Sequence, residues 1–292
     1  MDLSLDEDQV MLRDTAQRWI EDNLGMDQPR ADAGAILRAL DPLGWLSMTM
    51  AEVGLSHATE AVLFAELGRN LAPVGGLATA VARRWSDTEG VVALGLGSRV
   101  FDPVDMPVAL SIVGEQAGLT AFSPQEDRPT LDPSTRQILL PANPALDAMM
   151  PREAIRHLRL LSAAYAVGCA ERSVAVATNY AKLREQFGQP IGAFQAIKHM
   201  CVDALVRSES ARAQLYYAAC ALDAGAGDAG FHIAAAKHLA DRAALANART
   251  AIQVHGGMGV TDEAVPHRLL KRAHLLALIL PASSLNLFDD SK

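Results

Sequence analysis

Hydrophobic and polar positions repeat with a helical period over the first third of the chain. The stripe that predicts the first helix consists of Leu12, Ala16, Trp19 and Ile20. Ser4 and Glu7 have the spacing of a capping box, so we expect this helix to begin there. The same period predicts two more helices, over about residues 31–40 and 56–71.

The pattern changes twice further along the chain. Between about residues 91 and 142, short apolar runs alternate with Pro, Gly and Asp, which is typical of strands. After Pro151 the helical period returns and predicts four long helices, over about residues 152–184, 193–224, 228–254 and 264–278. Four long helices with short connections are typical of a four-helix bundle.

These changes predict a mostly α fold with three domains. They are an N-terminal helical domain (1–88), a small middle β-domain (89–150) and a C-terminal four-helix bundle (151–292).

Composition excludes several classes of protein. A net charge of −8 argues against nucleic-acid binding, which needs a basic surface. Cys169, Cys201 and Cys220 lie far apart in apolar segments, so we expect buried, reduced thiols. The acidic N-terminus differs from a signal peptide, and the most apolar run, "AHLLALILPASSLNLF", is too short to span a membrane. We expect a cytoplasmic protein without a membrane span.

Two segments carry candidate chemistry. In "AKLREQFGQPIGAFQAIKH" (181–199) the helical pattern stops just after Arg184, Gln186 and Phe187 and then resumes. Taken alone, Gly188 could simply cap the preceding helix. A second segment, "AIQVHGGMGVTDE" (251–263), also ends a helix in paired glycines.

Together with "DEDQVMLRDTAQRW", "FAELGRNLAP" and "LDPSTR" (131–136), these segments resemble the acyl-CoA dehydrogenase family over nearly the whole chain. The resemblance implies a helical N-terminal domain, a middle β-domain and a C-terminal four-helix bundle. It also implies FAD bound across a subunit interface, an acyl-CoA substrate and an electron-accepting flavoprotein.

The resemblance assigns cofactor contacts to particular residues. Arg184 would bind the FAD pyrophosphate, since a guanidinium matches phosphate oxygens as a bidentate fork. Gln186 and Phe187 would hold the ribityl and adenine parts. The remaining predicted cofactor residues are Gln195, Gln253, Gly256 and Gly257, and the two glycines allow close approach of the backbone.

The chain also departs from the family. The middle domain lacks the threonine-glutamate-proline and glycine-serine-aspartate segments, so we expect a shortened domain. Leu280 and Leu158 stand where family members carry the catalytic glutamate, Leu280 being followed by Pro281 and Ala282. We therefore predict no catalytic residue in this chain. It would be one subunit of an α2β2 acyl-CoA dehydrogenase of the steroid-degradation type, with a full-length partner subunit.

Two alternatives stay open. One is a homomeric flavoenzyme with another base, such as Glu171 or Glu263. The other is a non-enzymatic interaction protein.

Other patterns predict ordinary structure. His232 and His238 lack the spacing of metal ligands, so we predict no metal site. "HGG" at 255–257 has no accompanying G-x-S-x-G elbow of an esterase. We expect Asp262 and Glu263 to begin the last helix, and "LKRAH" (270–274) to be a solvated helix face.

Overall fold

The computed structural model describes residues 4–24, 33–104, 107–123, 125–141 and 144–281. Its N-terminal part is helical, with α1 (Glu7–Asn23), α2 (Ala33–Leu40), α3 (His57–Arg69) and α4 (Gly75–Trp85). The apolar stripe of α1 faces the core as predicted, with Ala16 and Ile20 fully buried. The capping box predicted at Ser4 and Glu7 is wrong. Asp6 caps the helix, its carboxylate accepting the Gln9 N–H while the Gln9 side chain accepts the Asp6 N–H.

The sequence pattern does not predict α4. This helix begins with two glycines, which are poor helix formers, and its residues from Gly75 to Arg83 are buried. Tertiary burial therefore stabilises a segment that local preference would leave irregular.

A six-stranded sheet forms the middle of the chain, in the order β5-β2-β1-β3-β4-β6. Its strands are β1 (Ala93–Leu96), β2 (Arg99–Phe101), β3 (Val108–Val113), β4 (Gln116–Ala121), β5 (Gln137–Leu139) and β6 (Ala148–Met149). β1 and β3 pair in parallel, and every other pair in the sheet is antiparallel. The apolar runs predicted β1, β3, β4 and β5, whereas β2 and β6 were not predicted.

Four helices form the C-terminal part: α5 (Arg152–Leu183), α6 (Gln195–Asp223), α7 (Ala229–His255) and α8 (Pro266–Leu278). They confirm the four predicted helices. Asp262 and Glu263 lie in the turn before α8, which begins at Pro266, so their predicted place in the first turn of that helix is wrong.

One continuous core joins the N-terminal helices, the sheet and the bundle. α3 packs against the middle of α5, where the rings of Phe64 and Tyr165 lie 5.7 Å apart. Gly168 makes this close approach possible, because a Cβ there would overlap the Ala65 carbonyl oxygen. At the start of α3, the carboxylate of Asp223 at the end of α6 accepts the N–H groups of His57 and Ala58, at 2.8 and 3.0 Å.

Arg272 of α8 holds the three parts of the chain together. Its side chain is 1% exposed and donates to the Asp132 carboxylate, the Ala72 carbonyl and, at 2.8 Å, the Ser134 hydroxyl. The prediction that "LKRAH" is a solvated helix face is therefore wrong, because Arg272 and Ala273 are buried.

Two further expectations concern thiols and membranes. The three cysteines are free, but only Cys169 is buried, whereas Cys201 and Cys220 are half-buried. α5 is long and apolar enough to cross a membrane by length and hydropathy. Because 72% of its most apolar window is buried against the rest of the protein, we assign it to the core.

Candidate functional site

The predicted residues Arg184, Gln186 and Phe187 lie at the end of α5 in a short hairpin. β7 (Glu185–Gln186) pairs with β8 (Gln189–Pro190), and the turn between them places Phe187 and Gly188 at φ +55° and +78°. Positive φ at both central residues is the geometry of a type I′ turn. Gly188 therefore serves the hairpin turn and does not cap α5.

This hairpin exposes its side chains. Phe187 is 91% exposed, and the centre of its ring lies 6.1 Å from that of Phe194, edge to face. Arg184 is exposed, and within the described residues its guanidinium has no hydrogen bond or ion pair. Gln186 donates to the neighbouring Glu185 carbonyl at 2.7 Å. The charged and aromatic groups are thus free to contact something outside the chain.

The second motif ends α7. Gly256 follows the helix at φ +60°, and Gln253 is exposed one turn earlier. A Cβ on Gly256 or Gly257 would meet no atom within 4 Å, so the space beside this backbone is open. Burial lowers the pKa of His255, although the hydrogen bond from its Nδ1–H to the Ala251 carbonyl at 2.7 Å opposes this shift.

The two motifs meet at one end of the bundle. The Tyr180 ring of α5 stacks on His255 of α7, with ring centres 4.0 Å apart. Below them a small apolar cluster joins the ends of α5 and α7 to the start of α6, and it includes Ala181, Val254 and Ile197. Gln195, the first residue of α6, is exposed beside this cluster. The seven predicted cofactor residues therefore lie at helix ends that pack together.

Exposed apolar side chains lie at these helix ends or within about three turns of them. We call the following set the bundle-end patch: Leu183, Phe187, Val202, Leu205, Val206, Met258 and Val260. Leu183 is 81% exposed, and the three α6 members lie on one outward face of that helix. A cluster of large exposed apolar side chains is typical of a protein–protein interface.

The positions predicted to have lost the catalytic acid are buried and apolar. Leu158 has no exposed surface and Leu280 is 9% exposed, both within the main core. Pro281 is exposed, whereas Ala282, Asp289 and Asp290 lie outside the described residues.

The alternative bases are poorly placed. Glu171 already forms ion pairs with Arg69 at 2.6 Å and with Arg212 at 3.5 Å. It lies 13 residues before Arg184, roughly 20 Å along the helix. Glu263 is exposed in the turn before α8.

Sequence reasoning missed two polar groups. One is the Arg272 junction, whose partner Asp132 is 140 residues away. The other is a buried group of His57, Glu60 and His157. Each depends on a residue that is distant in the sequence, since His157 lies 97 residues from Glu60. His232 and His238 do not form a metal site with each other, since His232 is half-buried beside Gln214 and Tyr217 while His238 is exposed.

Comparison with known proteins identifies the family of this chain. Residues 149–279 match the model of the acyl-CoA dehydrogenase C-terminal domain. The chain is 32% identical over 303 residues to the acyl-CoA dehydrogenase IpdE2 of Mycobacterium tuberculosis, covering 94% of this chain and 93% of that protein. This chain belongs to the acyl-CoA dehydrogenase family.

Solved structures show the same fold. The Tcur3481-Tcur3483 steroid acyl-CoA dehydrogenase superposes with a TM-score of 0.76 at 23% identity, covering 96% of each chain. The ChsE4-ChsE5 complex from Mycobacterium tuberculosis gives 0.71 at 20% identity, covering 95% of this chain and 94% of that chain. The predicted mostly α, acyl-CoA dehydrogenase-like fold is confirmed.

Proposed function

We propose that this chain is one subunit of a heteromeric, FAD-dependent acyl-CoA dehydrogenase and supplies the cross-interface half of the FAD site. The observation that supports the proposal is the set of exposed groups at one end of the bundle. The Arg184 guanidinium, which has no partner among the described residues, an exposed aromatic ring and open glycine backbone lie there beside exposed apolar side chains.

These residues fit FAD chemically. Arg184 offers a bidentate fork to a pyrophosphate, and a hydrogen bond between charged groups contributes about 1.5 to 3 kcal/mol. The backbone at Gly256 and Gly257 leaves room for a ligand, while Gln186, Gln195 and Gln253 offer amides to its polar edges. When bound, FAD supplies the redox chemistry of α,β-dehydrogenation of an acyl-CoA thioester.

This chain offers no proton acceptor at the two positions where the resemblance places the base. Leu158 and Leu280 are apolar and buried, and neither can take up an α-proton. We therefore assign the base to a glutamate of the partner subunit. General-base catalysis is worth about 10² to 10⁴ in rate, so turnover should depend on that partner.

The partner is a full-length acyl-CoA dehydrogenase subunit in an α2β2 assembly. Two features support this choice: the bundle-end patch is uncovered in the single chain, and the ChsE4-ChsE5 neighbour is a complex of two named proteins. The substrate would be an acyl-CoA of the steroid-derived class, as the name of the Tcur3481-Tcur3483 enzyme suggests. The electrons would leave to an electron-accepting flavoprotein, and we place the assembly in the cytoplasm.

Arg184→Ala tests the proposal. In the co-purified complex it should remove FAD, measured by the flavin absorbance, while the chain's free energy of unfolding changes by no more than about 0.5 kcal/mol. Arg184→Lys should restore FAD poorly, because an ammonium is a point charge. Arg249→Ala, an exposed arginine on α7, is the matched control and should keep FAD. Full FAD occupancy in Arg184→Ala would contradict the proposal.

Stoichiometry and partner mutation separate the alternatives. Native mass spectrometry should find one FAD per heterodimer, whereas one per polypeptide points to the homomeric enzyme. Removing residues 289–292 should leave the complex active, and mutating the partner's active-site glutamate should abolish turnover. A colourless complex with the partner would instead indicate a non-enzymatic interaction protein.

A further inference from the structure

A stacked pair of aromatic rings joins the two segments that form the proposed FAD site. Tyr180 belongs to the last turn of α5, and His255 is the last residue of α7. Their ring centres lie 4.0 Å apart and the ring planes differ by 21°, so the rings lie nearly face to face. Both residues are half-buried, and neither was among the predicted cofactor residues.

Tyr180 is connected through the backbone to the hairpin that carries Arg184. Its carbonyl accepts the Arg184 N–H at 2.8 Å, and the Arg184 carbonyl accepts the Ile191 N–H at 2.7 Å. Gly192 then lies close against α5, where a Cβ would be 3.0 Å from the Ala181 carbonyl oxygen. The same helical turn therefore presents the Tyr180 ring and sets the position of the Arg184 backbone.

His255 is connected to the glycine segment, residues 256–259. Its Nδ1 donates to the Ala251 carbonyl at 2.7 Å, since a carbonyl can only accept, and this bond orients the ring. Gly259 returns onto the end of α7, where a Cβ would lie 3.1 Å from the Cβ of His255. His255 thus contacts both the Tyr180 ring and the glycine segment.

The stack is the large contact at this end of α5 and α7. The buried residues that join the two helices beside it are small, namely Ala177, Ala181, Ala251 and Val254. An aromatic pair has a preferred ring geometry and contributes more than its buried area alone. The stack therefore favours one spacing of the two helix ends.

We propose that Tyr180 and His255 are positioning residues: their stacked rings hold the Arg184 hairpin and the glycine segment at the spacing that FAD needs. This inference rests on the proposed function, because it concerns the same FAD site. Neither ring has to contact the cofactor. Segments that are already in place before FAD arrives lose less conformational freedom on binding, which strengthens binding.

Substitution of Tyr180 tests the stack when FAD is titrated into the co-purified complex freed of flavin. Tyr180→Leu should raise the Kd for FAD about two- to tenfold, the range that an aromatic pair contributes. Tyr180→Phe keeps the stacked rings and should bind FAD as the unmodified complex does. Tyr217→Leu is the matched control, because Tyr217 is also half-buried and lies with its ring centre 4.5 Å from that of His232.

Two results of this titration would overturn the proposal. One is an unchanged Kd in Tyr180→Leu. The other is an equal loss of affinity in Tyr180→Phe, which would make the tyrosine hydroxyl a ligand of FAD. If Tyr180→Leu does not fold, His255→Leu removes the same stack and takes its place.

Hydrogen exchange of the full chain without FAD gives a second measurement. The amides of residues 256–260 should exchange faster in Tyr180→Leu than in the unmodified chain, and at the unmodified rate in Tyr217→Leu. Equal rates in all three proteins would show that the stack does not hold the glycine segment, and would refute the positioning role.

Arg184→Ala separates this inference from the proposed function. Full FAD occupancy in Arg184→Ala would contradict the proposed function itself. Loss of FAD in Arg184→Ala together with an unchanged Kd in Tyr180→Leu would refute the positioning role alone.

Discussion

Two arginines of this chain have opposite surroundings. Arg272 is buried and its guanidinium is bonded to Asp132, Ser134 and the Ala72 carbonyl. Arg184 is exposed at a helix end and, within the described residues, its side chain has no such partner. A buried charge without partners is strongly destabilising, so the first arginine must be satisfied inside the chain. The second contributes little to the fold and is available to a ligand. Under the proposed function, stability and cofactor binding therefore depend on different parts of the bundle.

Removing the partner of Arg272 should have the largest effect on folding. Asp132→Ala leaves a buried guanidinium without its carboxylate and should lower the free energy of unfolding by about 3 to 5 kcal/mol. Asp127→Ala is the matched control, because Asp127 pairs with Arg136 on the surface at 2.9 Å, and it should cost no more than about 1 kcal/mol. Urea unfolding of both variants measures the loss in free energy of unfolding. Equal losses would contradict the distinction between the buried and the surface ion pair.

Beside this junction, Asp102 should give the stability a defined pH dependence. Its carboxylate is fully buried and accepts the N–H groups of Gly75 and Arg136, and burial raises its pKa to about 6. The unfolded chain releases this proton near pH 3.8, so between about pH 4 and 6 the folded state binds more protons. The free energy of unfolding should fall across that window, by on the order of 2 to 3 kcal/mol, and then level off.

Asp102→Asn should remove this slope. The amide adds a constant cost, since its NH₂ meets a backbone donor, so the comparison concerns the pH dependence alone. Denaturant unfolding at pH 4.5, 5.5 and 7 measures it for both proteins. Parallel pH profiles would show that Asp102 does not titrate in this window.

Two glycines allow the same comparison between a residue of the core and a residue of the proposed FAD site. Gly168→Ala would push α5 away from α3 and should cost about 1 to 3 kcal/mol, because its Cβ overlaps the Ala65 carbonyl. Gly257→Ala meets open space and should leave stability unchanged while lowering FAD occupancy in the complex. Thermal unfolding and flavin absorbance of the two variants separate these effects. Loss of stability in Gly257→Ala would show that the end of α7 is structural.

The smallest effect on folding is expected in the bundle-end patch. Val206→Ser changes an exposed side chain and should alter the free energy of unfolding by no more than about 0.5 kcal/mol, yet weaken assembly with the partner. Val53→Ser, equally exposed but on the N-terminal part, is the control. Analytical ultracentrifugation of the mixed subunits measures assembly, and identical behaviour of the two variants would exclude Val206 from the interface.

The sequence predicts the regular parts of this molecule well and its long-range polar contacts poorly. The bundle helices α5 to α8 follow from a sustained helical period, which is a local property. The motif around Arg184 suggested a turn, and the structure adds a hairpin in which Phe187 adopts a left-handed conformation. Burial of Arg272 could not be predicted, because the segment "LKRAH" resembles a solvated face until Asp132 is brought to it by folding.

The direct contact of α3 with α5 changes how the sheet should be regarded. Residues 86–151 leave the helical body at the end of α4 and return to it at the start of α5, while α3 and α5 stay in contact through Phe64 and Tyr165. The sheet is an excursion from a continuous helical scaffold, so its strands can shrink or grow between relatives without separating the two helical parts. Whatever the length of its strands, this inserted segment must keep the ion pair between the Asp132 carboxylate and Arg272, which attaches it to the bundle.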